Sequence, residues 1–307
     1  MPLDPDIKNL LKMMESIPRP DLTTTDIKEF RNFVEQSALF KTSEEVGEVN
    51  DMKFEHDAVT VRTRLYTPEN AGSGLILYFH GGGFVFGSLD MYDGLCRIAA
   101  NRSKTRVMSV DYRLAPENKF PAALEDALES LRWVQRSAKE LDIDVEKIAV
   151  AGDSAGGNLA AGVCLKARDL KLKPPRLQVL IYPSLGRSGA SMSMIEYSEN
   201  YYLTEKDMAF FGKAYLKQPS DILDPYFSII NHPNLSGLPE ALVVTAEYDP
   251  LRDEGETYLA KLQKAGTQAT GIRAKGMIHG FQNFFPVVPA SKNLLTMIWS
   301  FVGNTLT

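Results

Sequence analysis

The stretch IAVAGDSAGGNLAAG, residues 148–162, decides the fold of this chain. Its first part is a short apolar run, which is typical of a strand buried in a parallel sheet. Its last part is rich in small residues and predicts a helix. Between the two stands the pattern G-x-S-x-G at 152–156, with Ser154 at its centre. Between a strand and a helix, this pattern forms a sharp turn that exposes a nucleophilic serine.

The predicted turn determines the surroundings of the Ser154 hydroxyl group. A strand that turns directly into a helix forces its central residue into a sparsely populated backbone conformation. Small residues at both ends of the pattern allow neighbouring backbone to pass closely. The first amides of the helix, that of Ala155 among them, point toward the hydroxyl together with the positive end of the helix dipole. The alternative is a purely structural turn in which Ser154 caps the helix.

Short apolar runs alternate with helical segments along most of the chain. This alternation predicts an α/β protein with a mostly parallel central sheet flanked by helices on both faces. The first two runs are joined by a turn around Asp57 and Ala58. The predicted strands occupy residues 49–56, 59–68, 74–80, 106–112, 147–152, 177–183, 241–246 and 269–274.

Two regions depart from this alternation. Near the N-terminus, apolar residues recur at helical spacing from Ile7 to Met14, and a second helix is predicted near 25–40 with Thr25 or Asp26 as its cap. Residues 185–216 are rich in Met, Tyr and Phe and are typical of a helical insertion rather than of another strand-helix unit.

Composition narrows the class of protein. The 307 residues carry a formal net charge of −5 and are 44% hydrophobic, as in ordinary globular proteins. No basic cluster favours nucleic-acid binding, and no apolar segment is long enough to span a membrane. The two cysteines, Cys96 and Cys164, lie in apolar helical contexts and are predicted to be buried free thiols. With no signal-peptide pattern at the N-terminus, these features predict a cytoplasmic protein.

A glycine-rich loop follows the predicted strand at 74–80. His80, Gly81, Gly82 and Gly83 are consecutive, and the three glycines let backbone amides approach a ligand closely. An acyl-transfer enzyme needs such donors where negative charge develops on the carbonyl oxygen of its substrate. We therefore predict that Gly82, Gly83 and Ala155 supply the oxyanion-hole amides, and that His80 and Gly81 support the loop. The alternative is a flexible loop without a ligand.

A nucleophilic serine needs a general base, and the chain has four histidines to choose from. His56 ends an early strand, His80 belongs to the glycine loop, and His232 lies in a turn that is expected to be solvated. His279 follows a late predicted strand and is the histidine both downstream of Ser154 and close to a strand end. It is therefore the predicted base, although an ordinary loop residue would look the same in isolation.

An acidic residue that orients the base is expected between Ser154 and His279. The segment ALVVTAEYDPLRDEG, residues 241–255, offers four carboxylates: Glu247, Asp249, Asp253 and Glu254. Asp249 stands where the strand leaves the sheet and is the predicted orienting residue. Its alternative role is a helix N-cap, because a proline and a helical segment follow it. Asp253 is predicted to give additional support.

Five motifs in this order resemble the hormone-sensitive-lipase family of α/β hydrolases, a family that includes many microbial carboxylesterases. The motifs are HGGGFVFG (80–87), DYRLAPE (111–117), GDSAGGNLA (152–160), AEYDPLRDEG (246–255) and GMIHGF (276–281). The resemblance covers roughly residues 50–305. It implies the α/β-hydrolase fold, a triad at Ser154, Asp249 and His279, and an oxyanion loop supported by the DYRLAPE segment.

The same resemblance implies a division of the chain. Residues 1–45 and 185–216 are predicted to form a helical cap, and residues 46–184 and 217–307 the catalytic domain. The resemblance also implies that the last strand and helix can pair across a homodimer, which would place residues 269–274 at an edge of the sheet.

The combined prediction is a serine carboxylesterase for short- to medium-chain esters, with a small-molecule ester as its substrate. The triad chemistry requires no metal or organic cofactor. Two alternatives remain open at this stage. A receptor-like member of the fold would bind a small molecule without turnover, and an amidase or thioesterase would use the same triad on another leaving group.

Overall fold

Eight strands form one sheet in the computed structural model, which describes residues 2–17, 20, 25–36, 44–186 and 191–307. The strands lie close to the ranges expected from the apolar runs. They are β1 (Glu48–His56), β2 (Val59–Thr67), β3 (Leu75–Phe79), β4 (Arg106–Asp111), β5 (Ile148–Asp153), β6 (Leu177–Ile181), β7 (Glu240–Tyr248) and β8 (Ala269–Ile278).

The sheet order is β1-β2-β4-β3-β5-β6-β7-β8. Strands β1 and β2 pair as an antiparallel hairpin, β2 also runs antiparallel to β4, and every pair from β4 to β8 is parallel. The prediction of a mostly parallel α/β sheet is therefore confirmed. The strand predicted at 269–274 lies at one edge of the sheet and extends to Ile278, so that the next residue leaves the sheet at its carboxyl end.

Nine α-helices connect and cover these strands in the described part of the chain. They are α1 (Pro5–Glu15), α2 (Ile27–Gln36), α3 (Asp93–Ser103), α4 (Ala122–Arg136), α5 (Ala155–Asp169), α6 (Met192–Tyr197), α7 (Glu205–Tyr215), α8 (Arg252–Lys264) and α9 (Pro289–Leu306). Across the described ranges, none of the helices has the combination of length and apolar character needed to cross a membrane.

Strand β3 shows how the sheet divides the hydrophobic core. All five of its residues are buried, because helices cover both faces. Leu75, Leu77 and Phe79 point into the cluster formed with α4, α5 and α8, whereas Ile76 and Tyr78 point into the cluster formed with α3 and α9. Complete burial of such a side chain contributes about 1.5–3 kcal/mol to stability.

Helices are present in both segments predicted to form a cap. Asp4 caps α1 through its side chain, and Asp26, one of the two predicted caps, accepts a hydrogen bond from the Lys28 amide at the start of α2. Ile7 is buried against the sheet, and Phe30 of α2 is buried as well. Residues 1, 18, 19, 21–24, 37–43 and 187–190 of the predicted cap lie outside the described residues.

Both cysteines are free and buried, as predicted. Cys96 lies in α3 and Cys164 in α5, and burial raises the pKa of each thiol well above its usual value. A raised pKa leaves the unreactive thiol form in place at neutral pH.

Candidate active site

Ser154 occupies the turn between β5 and α5 in the conformation that the motif predicts. Its φ of +53° and ψ of −117° belong to a backbone region that residues other than glycine rarely adopt. Its amide donates to the Ile181 carbonyl at 2.9 Å, which ties the turn to the neighbouring strand. The side chain makes no capping hydrogen bond to α5, so the alternative of a serine that caps the helix is wrong.

The turn is tight enough to exclude side chains at its exit. A Cβ atom on Gly156 would lie 1.9 Å from the Phe79 carbonyl oxygen, which is far inside contact distance. The helix therefore starts directly against the end of β3, and this packing brings the loop that follows β3 next to Ser154.

His279 approaches the serine from the end of β8, the edge strand that lies three places from β5 in the sheet. It follows the last residue of β8, and its Nε2 lies 3.0 Å from the Ser154 Oγ. Its Nδ1 lies 2.8 Å from the Asp249 Oδ2. The imidazole is 6% exposed, so bulk water has little access to it. The three residues that the sequence predicts to act together are thus connected by hydrogen bonds.

Asp249 leaves β7 at the end of the strand and is fully buried. While its Oδ2 faces His279, its Oδ1 accepts a hydrogen bond from the Leu251 amide at 2.8 Å. The alternative role as a helix N-cap is wrong, because α8 begins at Arg252 with Leu251 at its N-cap position and no side chain caps it. The other oxygen of Asp249 closes the turn that precedes the helix. The same carboxylate closes the turn and orients the imidazole. Its hydrogen bond to the Leu251 amide keeps the other oxygen directed at His279.

The other carboxylates of this segment point elsewhere. Glu247 accepts a hydrogen bond from the Gly276 amide, and Glu254 accepts one from the Leu185 amide at 2.8 Å. Asp253 accepts from the Ser193 amide at 2.8 Å and pairs with Arg252. The support predicted for Asp253 therefore goes to the start of α6, not to the imidazole.

The remaining histidines have structural partners. His56 lies 2.8 Å from the buried Asp126 carboxylate. His232 was expected in a solvated turn, but its side chain is 8% exposed and faces Asp169 at 3.6 Å. That expectation is wrong because the Tyr226 ring packs beside the imidazole. A turn composition of this kind says nothing about which distant residues fold over it.

The glycine loop presents unoccupied amides beside Ser154. Gly82 has a φ of +111°, and a Cβ atom there would lie 2.1 Å from the Phe86 carbonyl oxygen. The amides of Val85 and Phe86 both donate to the Gly82 carbonyl, which closes the loop into a tight turn. The amides of Gly82, Gly83 and Ala155 make no hydrogen bond within the described part of the chain. They are free to bind an oxygen atom.

The predicted support of this loop has a specific geometry. The His80 Nδ1 lies 2.7 Å from the Gly81 carbonyl oxygen, and the Tyr112 hydroxyl donates to the His80 carbonyl at 2.7 Å. The rings of His80 and Tyr112 stack at 4.2 Å. Burial lowers the pKa of His80, so this histidine stays neutral. Tyr112 belongs to the DYRLAPE segment, for which the resemblance implied such a contact.

One residue beneath the loop was not singled out from the sequence. Asp153, which precedes the nucleophile, is 2% exposed. Its Oδ1 accepts hydrogen bonds from the Gly81 amide at 2.9 Å and the Tyr78 hydroxyl at 2.8 Å. Its Oδ2 accepts from the Tyr92 hydroxyl at 3.1 Å. Desolvation raises the pKa of Asp153 to about 6, although these donors oppose that rise. An acidic residue at the second position of the motif was a usable signal.

A cavity of about 1200 Å³ opens above these groups. Ser154, His279 and the glycine loop line its base, and the rest is lined by side chains from the predicted cap and from the predicted catalytic domain, such as Phe227 and Phe284. The side chains from the predicted cap are mostly apolar, among them Met14, Phe30, Val34, Met194, Leu203, Met208, Phe211 and Leu216. A carbonyl carbon placed against Ser154 would thus have amide donors at its oxygen and apolar walls around its substituents. Such a site suits nucleophilic attack on an apolar ester.

The chain is similar to known proteins over most of its length. Residues 76–283 match the family model described as alpha/beta hydrolase fold. An arylesterase of Saccharolobus solfataricus is 41% identical to the chain over 284 residues, which are 92% of each protein. An ethyl acetate hydrolase of Pseudomonas putida is 36% identical, with 97% of this chain and 98% of that protein covered.

A solved structure shows the same similarity in three dimensions. The hyperthermophilic esterase of the archaeon Pyrobaculum calidifontis superposes with a TM-score of 0.95 at 42% identity, and the match covers 99% of both chains. Because the match covers 99% of the chain, it includes the N-terminal helices and the insertion between β6 and β7.

Proposed function

The chain belongs to the hormone-sensitive-lipase-like family of α/β hydrolases and is a carboxylic ester hydrolase, and on this basis we propose that it cleaves short- to medium-chain esters through an acyl-enzyme on Ser154. The observation that carries the proposal is the line of hydrogen bonds from Asp249 through His279 to Ser154, at 2.8 and 3.0 Å, at the base of an apolar cavity.

In the first half of the proposed reaction, Ser154 Oγ attacks the ester carbonyl carbon while His279 Nε2 takes the hydroxyl proton. Asp249 holds the imidazole in the tautomer that carries its proton on Nδ1, and it stabilises the imidazolium cation. The carbonyl oxygen becomes an oxyanion and is bound by the free amides of Gly82, Gly83 and Ala155. Each such donor contributes about 2.7–4 kcal/mol to the stability of the transition state.

In the second half, the carbon–oxygen bond to the alcohol breaks and His279 returns the proton to the leaving alkoxide. The acyl group remains on Ser154 as an ester. A water molecule then gives a proton to His279 and attacks the acyl carbon. When the second tetrahedral intermediate collapses, the bond to Ser154 Oγ breaks, His279 gives its proton to that oxygen, and the acid is released. The sum of the two halves is ester plus water to acid plus alcohol.

The preference for short to medium acyl chains is argued from the cavity cover. Each methylene group buried against apolar walls contributes about 0.8 kcal/mol to binding, so efficiency rises with chain length at first. Because helices of the predicted cap close over the cavity, a longer chain has to displace them, and we expect the optimum at about four to eight carbons, after which this per-methylene gain is lost. The division into a cap (1–45 and 185–216) and a catalytic domain, the homodimer and the cytoplasmic location remain predictions.

The experiment is a series of kcat/KM values for p-nitrophenyl esters with acyl chains from two to sixteen carbons. Active-site titration with an organophosphate counts the reactive serines, and Ser154→Ala serves as the control for background hydrolysis. We expect one reactive serine per chain and a maximum at short to medium length. A maximum at sixteen carbons would contradict the proposed substrate class.

The same preparation separates the two alternatives. Stoichiometric binding of ester analogues without turnover would identify a receptor-like protein. Matched amide and thioester analogues of the best ester substrate test the leaving group, and we expect the ester to be cleaved at least tenfold faster than the amide, a difference in barrier of about 1.4 kcal/mol or more.

A further inference from the structure

Asp153 is a buried carboxylate that the triad chemistry does not use. No lysine or arginine pairs with it anywhere in the described ranges, and its hydrogen-bond partners are neutral: the Gly81 amide, the hydroxyls of Tyr78 and Tyr92 and, at 3.5 Å, the hydroxyl of Tyr182. Removing an unpaired carboxylate from water is costly unless hydrogen bonds replace the lost hydration. An apolar residue at this position would avoid that cost, so the presence of a carboxylate indicates that it has a function in the site.

The position of the Gly81 amide supplies the reason. Gly81 stands immediately before Gly82, whose amide is a proposed oxyanion donor. Asp153 Oδ1 accepts from the Gly81 amide at 2.9 Å, and the Tyr92 hydroxyl lies 3.0 Å from the same nitrogen. Tyr92 in turn donates to Asp153 Oδ2, so carboxylate, hydroxyl and amide form a closed triangle of hydrogen bonds.

Peptide planarity carries this restraint to the oxyanion donors. The carbonyl of Gly81 and the amide of Gly82 belong to one planar peptide group and point in opposite directions. His80 Nδ1 holds that carbonyl at 2.7 Å, while Asp153 holds the amide on the other side of the same residue. With both of its peptide groups fixed, Gly81 leaves Gly82 a single direction in which to point its amide.

We propose that Asp153 is the positioning residue of the oxyanion loop. Asp153 and Ser154 are adjacent in the same turn, so one short segment carries both the nucleophile and the group that locks the loop. The hydrogen bond from the Gly81 amide to Asp153 thereby ties the oxyanion loop to the same turn that carries Ser154. The inference rests on the proposed function, because it assigns a role in stabilising the oxyanion of ester cleavage.

Two substitutions separate the hydrogen-bond acceptor from the negative charge. Asp153→Ala removes the acceptor for the Gly81 amide. Asp153→Asn retains an acceptor oxygen of the same reach and removes the charge. We expect Asp153→Ala to lower kcat by about 10²–10³, the loss that follows removal of one oxyanion donor, with KM changed less than threefold. Asp153→Asn is expected to restore kcat to within about tenfold of the native value, because it still holds the loop.

Glu240 provides a control that is remote from the site. Its side chain is 10% exposed and pairs with Arg176 at the amino end of β7, the edge of the sheet opposite to Ser154. Glu240→Gln is expected to lower the free energy of unfolding while kcat per titrated serine stays within twofold of the native value. A role of Asp153 in stability alone would make the two positions behave alike, and this outcome would overturn the proposal.

Three further results would overturn it. These are native kcat in folded Asp153→Ala, equal loss of kcat in the Ala and Asn variants, and a loss confined to KM. If Asp153→Ala does not fold, Tyr92→Phe tests the same triangle, since it removes the hydroxyl and keeps the carboxylate. We expect a three- to tenfold loss of kcat there, and an unchanged kcat would count against the proposal. Failure of the proposed function would be visible separately, as absence of ester turnover in the native protein.

Discussion

The base of the cavity and its cover are built from different kinds of contact. The base, residues 80–83, 153–155, Asp249 and His279, consists of strand ends whose polar atoms are held by hydrogen bonds. The cover, helices α1, α2, α6 and α7, lines the cavity mainly with apolar side chains. Among its ring contacts, Phe30 of α2 lies 5.6 Å from the ring of Phe86, just after the glycine loop, and 6.0 Å from the Phe210 ring of α7, both edge to face.

Besides the hydrogen bonds of Ser193 at the start of α6, the cover is held by a polar anchor on α2. Arg31 of α2 donates from Nε to the Val85 carbonyl at 2.7 Å and from Nη2 to the Ala115 carbonyl at 2.7 Å. It also pairs with Glu117 at 2.8 Å. Val85 follows the glycine loop and Ala115 belongs to the DYRLAPE segment, so this arginine connects the cover to both supports of the base.

The difference reflects what each region does. Hydrogen bonds are directional, so they fix distances to the few tenths of an ångström that catalysis needs. Apolar contacts are not directional and lose little energy when rings slide past one another. We therefore expect substitutions in the base to abolish turnover and substitutions in the cover to change which esters are accepted.

The largest effect is expected from the nucleophile. Ser154→Ala should lower kcat by up to about 10⁶, because the covalent route is lost, while the fold survives. Ester hydrolysis and circular dichroism measured on the same sample test this. A folded variant with a tenth of the native rate would show that another group is the nucleophile.

The acid of the triad should be next in size. Asp249→Asn is expected to lower kcat by about 10⁴, since an amide at this position favours the wrong imidazole tautomer. Asp253→Asn, four residues along the same segment, serves as the control and should stay within threefold of native kcat because its partner is Ser193. Equal losses at both positions would mean that general damage to the segment, not the tautomer, is being measured.

A smaller effect concerns the stability of the base at different pH values. Burial raises the pKa of Asp153 to about 6, and Tyr78, Tyr92, Tyr182 and His279 are the titratable groups that face it. Since its folded-state pKa exceeds its unfolded value, its contribution to stability is present at low pH and is lost as pH rises through about 6.

Between pH 5 and 7.5 the native protein should therefore lose about 1 kcal/mol of unfolding free energy relative to Asp153→Asn. Urea denaturation of both proteins at the two pH values measures this difference. A difference that is constant, or that grows in favour of the native protein as pH rises, would contradict a raised pKa at this carboxylate.

The smallest effect is expected from the anchor of the cover. Arg31→Ala should reduce kcat/KM about three- to tenfold for the best ester and flatten the dependence on acyl length, because loss of hydrogen bonds to a charged group loosens α2. Lys28→Ala, an exposed position on the same helix, is the control. Loss of turnover as complete as that in Ser154→Ala would show that the cover is as necessary for turnover as the base, which would contradict the comparison.

The base was largely predictable from the sequence, and the cover was not. Ser154, Asp249 and His279 each follow a strand, and the carboxyl ends of parallel strands meet at one edge of the sheet, so motif and strand order together place them. Asp153 was missed because its partners, Tyr78 and Tyr92, lie 75 and 61 residues away along the chain. The acidic residue at the second position of the motif marks this place in the sequence, but nothing local shows whether its side chain faces water or such partners.

Contacts between residues that are distant in sequence limit the prediction of the cover even more. Helical periodicity predicts α1 and α2, but not which faces they present to the cavity. Arg31 reaches carbonyls 54 and 84 residues away, and solvated surface arginines have the same local pattern. Residues 37–43 and 187–190, which complete the two predicted cap segments, lie outside the described part of the chain. The division into a cap and a catalytic domain therefore stays a prediction from the sequence and the resemblance.

The order of the strands has a further consequence for the site. After β3 the chain moves to one side, to β4, and then crosses to the other side of β3, to β5. Connections that leave neighbouring strands in opposite directions open a crevice at the carboxyl edge of a sheet, a topological switch point. The glycine loop and Ser154 follow the two strands that border it. The cleft therefore arises from the order in which the strands are connected. We expect it to remain when whole covering segments are exchanged in protein engineering.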